Sequence, residues 1–193
     1  MNAGDRRLAD NTDLGRKILV AGHGGKSTLA RVLAADLDLP YVELDAINWL
    51  PDWVERSKDD FRELVQKALE ENPDGWVVDG NYGTDLQGMI VRRAETVIYV
   101  NMSWGLMFWR TFWRAVARAR DRRLICGENI ESWRHTFLSR DSLLCFLIKN
   151  RKNFQRRRTE RLRGWAEGEQ MIELTGRAAL NRFYEERGLF RGG

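Results

Sequence analysis

Five short apolar runs, with helical patterns between them, most constrain the fold of this chain. They occupy residues 17–21, 41–44, 76–78, 96–100 and 171–174, and the fourth has the β-branched and aromatic content typical of a buried strand. Strands that alternate with helices are joined by right-handed crossovers, which places them in a parallel sheet covered on both faces. Since no hairpin turn signal separates the runs, the pattern predicts one three-layer α/β domain.

Helical periodicity fills the intervals between these runs. The predicted helices cover residues 26–37, 59–69, 103–120, 141–163 and 177–187. The third of these has two faces. One is an apolar stripe, interpreted as core packing, of Leu106, Trp109, Trp113 and Val116. The other carries Arg110, Arg114 and Arg118, which are four residues apart and therefore share a side of the helix.

The length and composition of the chain indicate a single domain and no membrane segment. Residues 1–14 are polar and are predicted to be a flexible tail, which leaves residues 15–193 as one domain with a lid-like insertion at about 118–141. No apolar stretch is long enough for a signal peptide or a bilayer span. The two cysteines, Cys126 and Cys145, form no CxxC pair. We therefore expect a cytoplasmic protein with free thiols and no membrane partner.

The positive charge of the chain is concentrated in one block. Residues 105–163 contain 16 Lys and Arg against 5 Asp and Glu, a local balance of +11, although the whole chain has a net charge of +4. A block this basic indicates a polyanionic partner, such as nucleotide phosphates or nucleic acid, or else a solvated helical surface.

The stretch AGHGGKSTLA follows the first predicted strand and opens the first predicted helix. A phosphate-binding P-loop has a glycine six residues before its lysine. Counting six residues back from Lys26 reaches Val20. The glycine nearest to that position is Gly22, two residues later. Either Val20 fills the first-glycine position or the loop is two residues short.

The second half of this stretch has the chemistry of a phosphate site. Glycines let successive amides turn towards an anion at a helix N-terminus. Lys26 would then reach the terminal phosphates, and the Ser27 hydroxyl would coordinate Mg²⁺. The predicted nucleotide-binding residues are Gly22, His23, Gly24, Gly25, Lys26, Ser27 and Thr28.

Two aspartates follow neighbouring predicted strands. Asp45 closes the second strand in ELDAINW, and Asp79 closes the third in WVVDGNYG. Because ligands collect beyond the carboxyl ends of parallel strands, both carboxylates and Asn101 are expected near Lys26. A carboxylate there can hold Mg²⁺ or accept a proton from a substrate hydroxyl, or it can cap the following segment. We assign Asp79 to the metal and Asp45 to the acceptor.

With GGKST, LDAINW, DGNY and the arginine helix in place, the chain resembles the adenylate-kinase-like P-loop proteins. Within them it is most similar to the bacterial branch often labelled "topology modulation protein", through LDAINWLPDW, WVVDGNY and GENIESWRHTFLSRDSLL. The resemblance extends over residues 17–186. It implies a sheet with strand order 2-3-1-4-5, an ATP-type donor, Mg²⁺ and a mobile arginine lid.

The resemblance also implies roles for residues beyond the loop. Arg110 would stack on the donor base, Arg114 would contact the phosphates, and Arg140 would reach over from the lid. The adenine-contacting loop would contain Thr175 and Gly176. The chain departs from the pattern in three places: the loop lacks the first glycine or two residues, Asn101 replaces an aspartate, and Gly83 replaces the arginine that holds an acceptor phosphate. Trp49 and Trp53 would suit a planar acceptor, or they pack under the adjacent helix.

The leading interpretation is therefore an ATP-dependent phosphotransferase with an unidentified small-molecule acceptor, ATP and GTP not being distinguished. Its predicted catalytic residues are Lys26, Asp45, Arg114 and Arg140, and Ser27 and Asp79 hold Mg²⁺. Two alternatives stay open. One is a non-catalytic or weakly hydrolytic nucleotide binder. The other is a regulatory protein that binds nucleic acid through residues 105–163, which should weaken steeply with salt.

Overall fold

The structure, a computed structural model, describes residues 14–82, 84–121, 124–125, 129–130 and 171–189. In chain order its strands and helices are β1 (Lys17–His23), α1 (Lys26–Asp36), β2 (Tyr41–Glu43), α2 (Leu44–Asn48), β3 (Trp49–Leu50), β4 (Val54–Glu55), α3 (Lys58–Glu70), β5 (Trp76–Asp79), α4 (Thr84–Val91), β6 (Thr96–Asn101), α5 (Trp104–Asp121), β7 (Leu124–Ile125), β8 (Asn129–Ile130), β9 (Met171–Thr175) and α6 (Gly176–Glu186).

Five strands form one parallel sheet in the order β2-β5-β1-β6-β9. These are the five predicted strands, so the predicted α/β class and the strand order 2-3-1-4-5 are both confirmed. The register aligns Val20 of β1 with Asp79 of β5, and His23 with Asn101 of β6. The carboxyl ends of the strands therefore meet at one edge of the sheet.

Alternate residues of β1 pack into two separate cores. Leu19 and Ala21 join a cluster with apolar residues of α3 and α4, whereas Ile18 and Val20 join a second cluster with residues of α1 and α6. All four side chains are fully buried. Helices thus cover both faces of the sheet, which confirms the three-layer arrangement.

The expectation of no hairpins is wrong. β3 and β4 pair antiparallel across a tight turn at Pro51–Trp53, and β7 pairs antiparallel with β8. In the first turn Asp52 and Trp53 adopt positive φ angles of 62° and 59°. Pattern reasoning missed this turn because two-residue strands carry no measurable alternation and non-glycine residues rarely adopt such angles.

The interpretation of Trp109 and Trp113 as core residues is also wrong. Their side chains are 58% and 51% exposed and contact each other at a ring-centroid distance of 5.5 Å. Met107, in the first turn of α5, is buried, and the neighbouring Leu106 packs against the second core cluster. Among the described side chains of α5, therefore, it is the first turns that reach the sheet, because a helix of this length extends about 27 Å.

Some predicted features lie at or beyond the limits of the described chain. Leu14, assigned to the terminal tail, is instead buried, and its carbonyl accepts a hydrogen bond from the Thr96 hydroxyl at 2.7 Å. Residues 1–13, the predicted helix 141–163 and most of the lid-like insertion lie outside the described residues. In the part of the chain that is described, no helix is both long and apolar enough to span a bilayer.

Candidate functional site

The connection between β1 and α1 is short and consists of glycines with a left-handed backbone. β1 extends through His23 and α1 begins at Lys26, so that only Gly24 and Gly25 join them. Their φ angles are 84° and 115°, values that residues with a Cβ rarely adopt. No side-chain hydrogen bond caps α1. The amides of its first turn are therefore placed to bind an anion.

Val20 does not open a phosphate loop. It lies inside β1, fully buried, where it aligns with Asp79 on one side and Ile98 on the other. Because pairing with β6 continues to His23, the residues after Val20 stay in the sheet instead of curling into a loop. The structure thus favours a loop two residues short over Val20 in the first-glycine position, and His23, expected within the loop, is the last residue of β1.

Gly22 is the residue at which a side chain is least tolerated. Its φ is 106°, and an added Cβ would lie 2.0 Å from the Val100 carbonyl oxygen. The Gly22 amide donates to Asn81 Oδ1 at 2.7 Å, and Asn81 Nδ2 donates to the Gly22 carbonyl at 2.6 Å. Sequence reasoning missed this role of Asn81, although its position two residues after Asp79 in DGNY was a signal.

Lys26 and Asp79 form the charged centre of the site. The Lys26 ammonium lies 2.6 Å from Asp79 Oδ1 and donates to Ser27 Oγ at 3.3 Å. The Tyr41 hydroxyl donates to Asp79 Oδ2 at 2.8 Å. Only 1% of the Asp79 side chain is exposed, and a buried carboxylate is stable only with such partners. The structure thus brings together the predicted residues Lys26, Ser27 and Asp79, and adds Tyr41.

Tyr41 lies at the start of β2 between a carboxylate and a guanidinium. Burial, then the negative charge of Asp79 and the hydrogen bond to it, raise the pKa of Tyr41 well above its ordinary value of 10.0. The Arg31 guanidinium lies 5.2 Å from the centre of the tyrosine ring and pairs with Glu43 at 3.0 Å. Tyr41 therefore remains a hydrogen-bond donor throughout the neutral pH range.

The oxygen donors of this centre fit a magnesium ion. Ser27 Oγ and the Asp79 carboxylate are the hard ligands that Mg²⁺ prefers. Among the described residues no three His, Cys, Asp or Glu side chains converge on a metal position. Mg²⁺ would therefore complete its coordination with phosphate oxygens and water. Because Lys26 bonds Asp79 Oδ1, direct ligation by that oxygen requires the lysine to move.

Asp45 lies in the first turn of α2 and does not close β2, which ends at Glu43. Its Oδ1 accepts a hydrogen bond from the Tyr82 hydroxyl at 2.6 Å. The Tyr82 ring packs edge-on against Phe61 at a centroid distance of 4.7 Å. Tyr82 follows β5 by three residues, so it links the predicted acceptor-side carboxylate to the segment that follows Asp79. Sequence reasoning assigned no role to this tyrosine, although it is part of the DGNY motif.

Other predicted site residues lie on α1 or at the same edge of the sheet. Thr28 is exposed on α1. Thr175 is aligned with Asn101 at the end of β9, and both side chains donate to Glu173 Oε1, at 3.3 and 3.2 Å. Gly176 begins α6 with a φ of 81°. Because His23 also aligns with Asn101, these residues share the sheet edge with the glycine loop.

The structure describes the predicted tryptophan pair but not the side chains of the predicted arginines. Arg110 and Arg114 belong to α5, but the positions of their side chains lie outside the described structure. Arg140 lies outside the described residues altogether. Trp49 and Trp53 contact each other edge-on, with ring centroids 5.6 Å apart, across the β3–β4 hairpin. The predicted roles of the arginines remain predictions.

Sequence and structure comparisons bear on this site. The profile of the ATPase family associated with various cellular activities (AAA) matches residues 19–79. No functionally curated protein matches the chain. Shikimate kinase from Bacteroides thetaiotaomicron is similar with a TM-score of 0.48 and 17% identity, over 89% of this chain and 98% of that one. A sugar kinase from Janibacter sp. is similar with a TM-score of 0.48 and 13% identity, over 91% of this chain and 95% of that one.

The family match extends from β1 to the end of β5 and thus includes Lys26, Ser27, Asp45 and Asp79. It supports, independently of the geometry, a P-loop-type nucleotide-binding segment in this part of the chain. The finer resemblance to the topology modulation protein branch stays a prediction.

Proposed function

We propose that this protein is a phosphotransferase. It moves the terminal phosphoryl group of a nucleoside triphosphate, with ATP as the expected donor, to a small-molecule acceptor. The observation that carries the proposal is the convergence of Lys26, Ser27 and Asp79 at the uncapped N-terminus of α1. A lysine, a hydroxyl and a carboxylate beside free helix amides are the parts that phosphoryl transfer requires.

The residues have distinct roles in the proposed reaction. The amides after Gly25 and the Lys26 ammonium bind the phosphates, and Ser27 and Asp79 hold Mg²⁺, which neutralises charge on the phosphate oxygens. Asp45 orients the acceptor hydroxyl and takes its proton as the new oxygen–phosphorus bond forms. Arg110, Arg114 and Arg140 would contact the donor and stabilise charge that develops on the transferred group.

One observation favours a second candidate, a non-catalytic nucleotide binder. Because β1 continues to His23, the loop presents fewer amides than a full P-loop and would hold the phosphates less tightly. The nucleic-acid alternative depends on the basic block of residues 105–163, most of which lies outside the described residues.

Calorimetric titration with Mg·ATP and Mg·GTP tests the proposal. The wild-type protein should bind at least one of them with micromolar affinity, and Lys26→Ala should abolish the binding. Lys67→Ala is a matched control, because Lys67 is 68% exposed and pairs only loosely, at 3.8 Å, with Glu71. Its affinity should equal that of the wild type. If neither nucleotide binds, the shortened loop holds no donor and the proposal fails.

Turnover separates the two candidates. A phosphotransferase should form ADP faster when its acceptor is present. Arg114→Ala should then lower kcat strongly while changing the free energy of unfolding little. A protein that binds ATP through Lys26 but forms no ADP with any acceptor from a broad metabolite panel would instead be the non-catalytic binder.

A further inference from the structure

Asp79 is the most constrained charged residue among those described in the site. Its carboxylate is almost completely buried, and each oxygen has a different partner: Lys26 Nζ at 2.6 Å from Oδ1 and the Tyr41 hydroxyl at 2.8 Å from Oδ2. The lysine side chain is only 17% exposed. The cation that would bind phosphate is therefore paired with an aspartate.

This ion pair opposes nucleotide binding. Lys26 can bind phosphate oxygens at full strength only if it leaves Asp79, since one ammonium cannot satisfy both anions equally well. The carboxylate left behind would be buried and would have lost its counter-charge, which is strongly unfavourable unless other donors hold it. The affinity for nucleotide then depends on what remains bound to Asp79 after the lysine moves.

We infer that Tyr41 is a positioning residue that holds the Asp79 carboxylate in place while Lys26 transfers to the nucleotide phosphates. The inference rests on the proposed nucleotide binding. Tyr41 is suited to this role because its hydroxyl already bonds the oxygen that Lys26 does not use. Its ring is itself fixed, with the Arg31 guanidinium 5.2 Å from its centre and that guanidinium anchored to Glu43.

A consequence distinguishes this role from a packing role. Tyr41→Phe keeps the ring and its contact with Arg31 but removes the bond to Asp79, so Asp79 then depends on Lys26 alone. Nucleotide affinity should fall by about tenfold, the usual effect of one hydrogen bond to a buried charged group. In an Asp79→Asn background Lys26 has no carboxylate to leave, and the same tyrosine change should alter the affinity by less than about twofold.

The experiment measures binding of ATP without metal, in EDTA, because Asp79 is also a candidate magnesium ligand. Calorimetry compares the wild type, Tyr41→Phe, Asp79→Asn and the double variant. Tyr184→Phe is the control for loss of a buried tyrosine hydroxyl elsewhere, since Tyr184 is 4% exposed on α6. Its affinity should not change.

Each outcome decides the inference. Wild-type affinity in Tyr41→Phe would overturn it, and so would an equal loss in both backgrounds, which would mean that the tyrosine acts through packing. If Tyr41→Phe does not fold, Asp79→Asn alone decides. Because this substitution frees Lys26, the affinity for metal-free ATP should be equal to or higher than that of the wild type. A lower affinity contradicts the inference. If the wild type and Lys26→Ala bind Mg·ATP equally, or not at all, the proposed function itself has failed and the inference falls with it. If the wild type binds Mg·ATP but not metal-free ATP, Lys26 does not leave Asp79 for the phosphates by itself, and the inference alone is contradicted.

Discussion

Asn81 holds both backbone polar groups of Gly22, accepting from its amide at 2.7 Å and donating to its carbonyl at 2.6 Å. This pair of bonds imitates a β-ladder at the point where β5 has already ended. It extends the support of β1 beyond Val20, the last residue of β1 aligned with β5. The glycine loop therefore starts from a fixed point, which matters because the loop is short.

Asn81→Ala should loosen this start of the loop. It leaves the amide and carbonyl of Gly22, a buried residue, without their side-chain partner. We therefore expect the free energy of unfolding to fall by about 1–3 kcal/mol. The affinity for nucleotide should also fall. Asn72→Ala is a matched control, because Asn72 also donates to a backbone carbonyl, that of Ala68 at 2.8 Å, but at the end of α3. Denaturant unfolding and calorimetry should show a stability loss in both variants and an affinity loss in Asn81→Ala alone.

Gly22→Ala should be more damaging than an alanine substitution at either loop glycine, Gly24 or Gly25. The new Cβ would meet the Val100 carbonyl at 2.0 Å, and the backbone there is rigid because both strands are paired. We expect the free energy of unfolding to fall by about 3 kcal/mol or more.

Gly105→Ala provides the comparison. Gly105 is exposed on α5, and a Cβ added there meets no atom within 4 Å. Alanine favours a helix over glycine by up to about 1 kcal/mol, so this variant should be as stable as the wild type or more stable. Thermal unfolding of the two variants compares them directly, and a Gly22→Ala protein of wild-type stability would contradict the geometry.

The sheet was predictable from the sequence because its central strands β5, β1 and β6 are buried on both faces. Runs such as residues 96–100 are mostly apolar, and each is separated from the next by a helical pattern, so that both the strand positions and the parallel class follow from local composition. The strand order came from the family resemblance. The meeting of Lys26 and Asp79 then follows from geometry, since Asp79 ends β5 and Lys26 begins the helix that follows the adjacent strand β1.

Contacts between distant side chains were not predictable. Tyr41 and Tyr82 reach Asp79 and Asp45 from positions 38 and 37 residues away, and periodicity carries no information about such pairs. The exposed Trp109 shows a second limit. An apolar stripe indicates that one side of a helix is apolar, but it does not show whether another element covers that side.

Tyr41 should make the stability of the protein sensitive to alkaline pH. Its folded pKa lies above the unfolded value of 10.0, so its contribution is fully present below about pH 10 and is lost as the pH rises towards the folded pKa. Above pH 10 the free energy of unfolding should fall more steeply in the wild type than in Tyr41→Phe. The difference should be a fraction of about 1.4 kcal/mol per pH unit, because partial exposure screens the charge. Denaturant unfolding between pH 9 and 11 measures it, and parallel curves would show that Tyr41 titrates normally.

Asp45 and Tyr82 should affect turnover without affecting donor binding. Under the proposed function Asp45→Asn removes the proton acceptor and should lower kcat by about 10²–10⁴-fold. Tyr82→Phe keeps the ring contact with Phe61 but removes the 2.6 Å hydrogen bond to Asp45, and a smaller loss of roughly tenfold is expected because the carboxylate is only less well oriented. Calorimetry should give wild-type affinity for Mg·ATP in both variants. A loss of ATP affinity that matches the loss of kcat would place Asp45 on the donor side of the site and contradict its assignment to the acceptor.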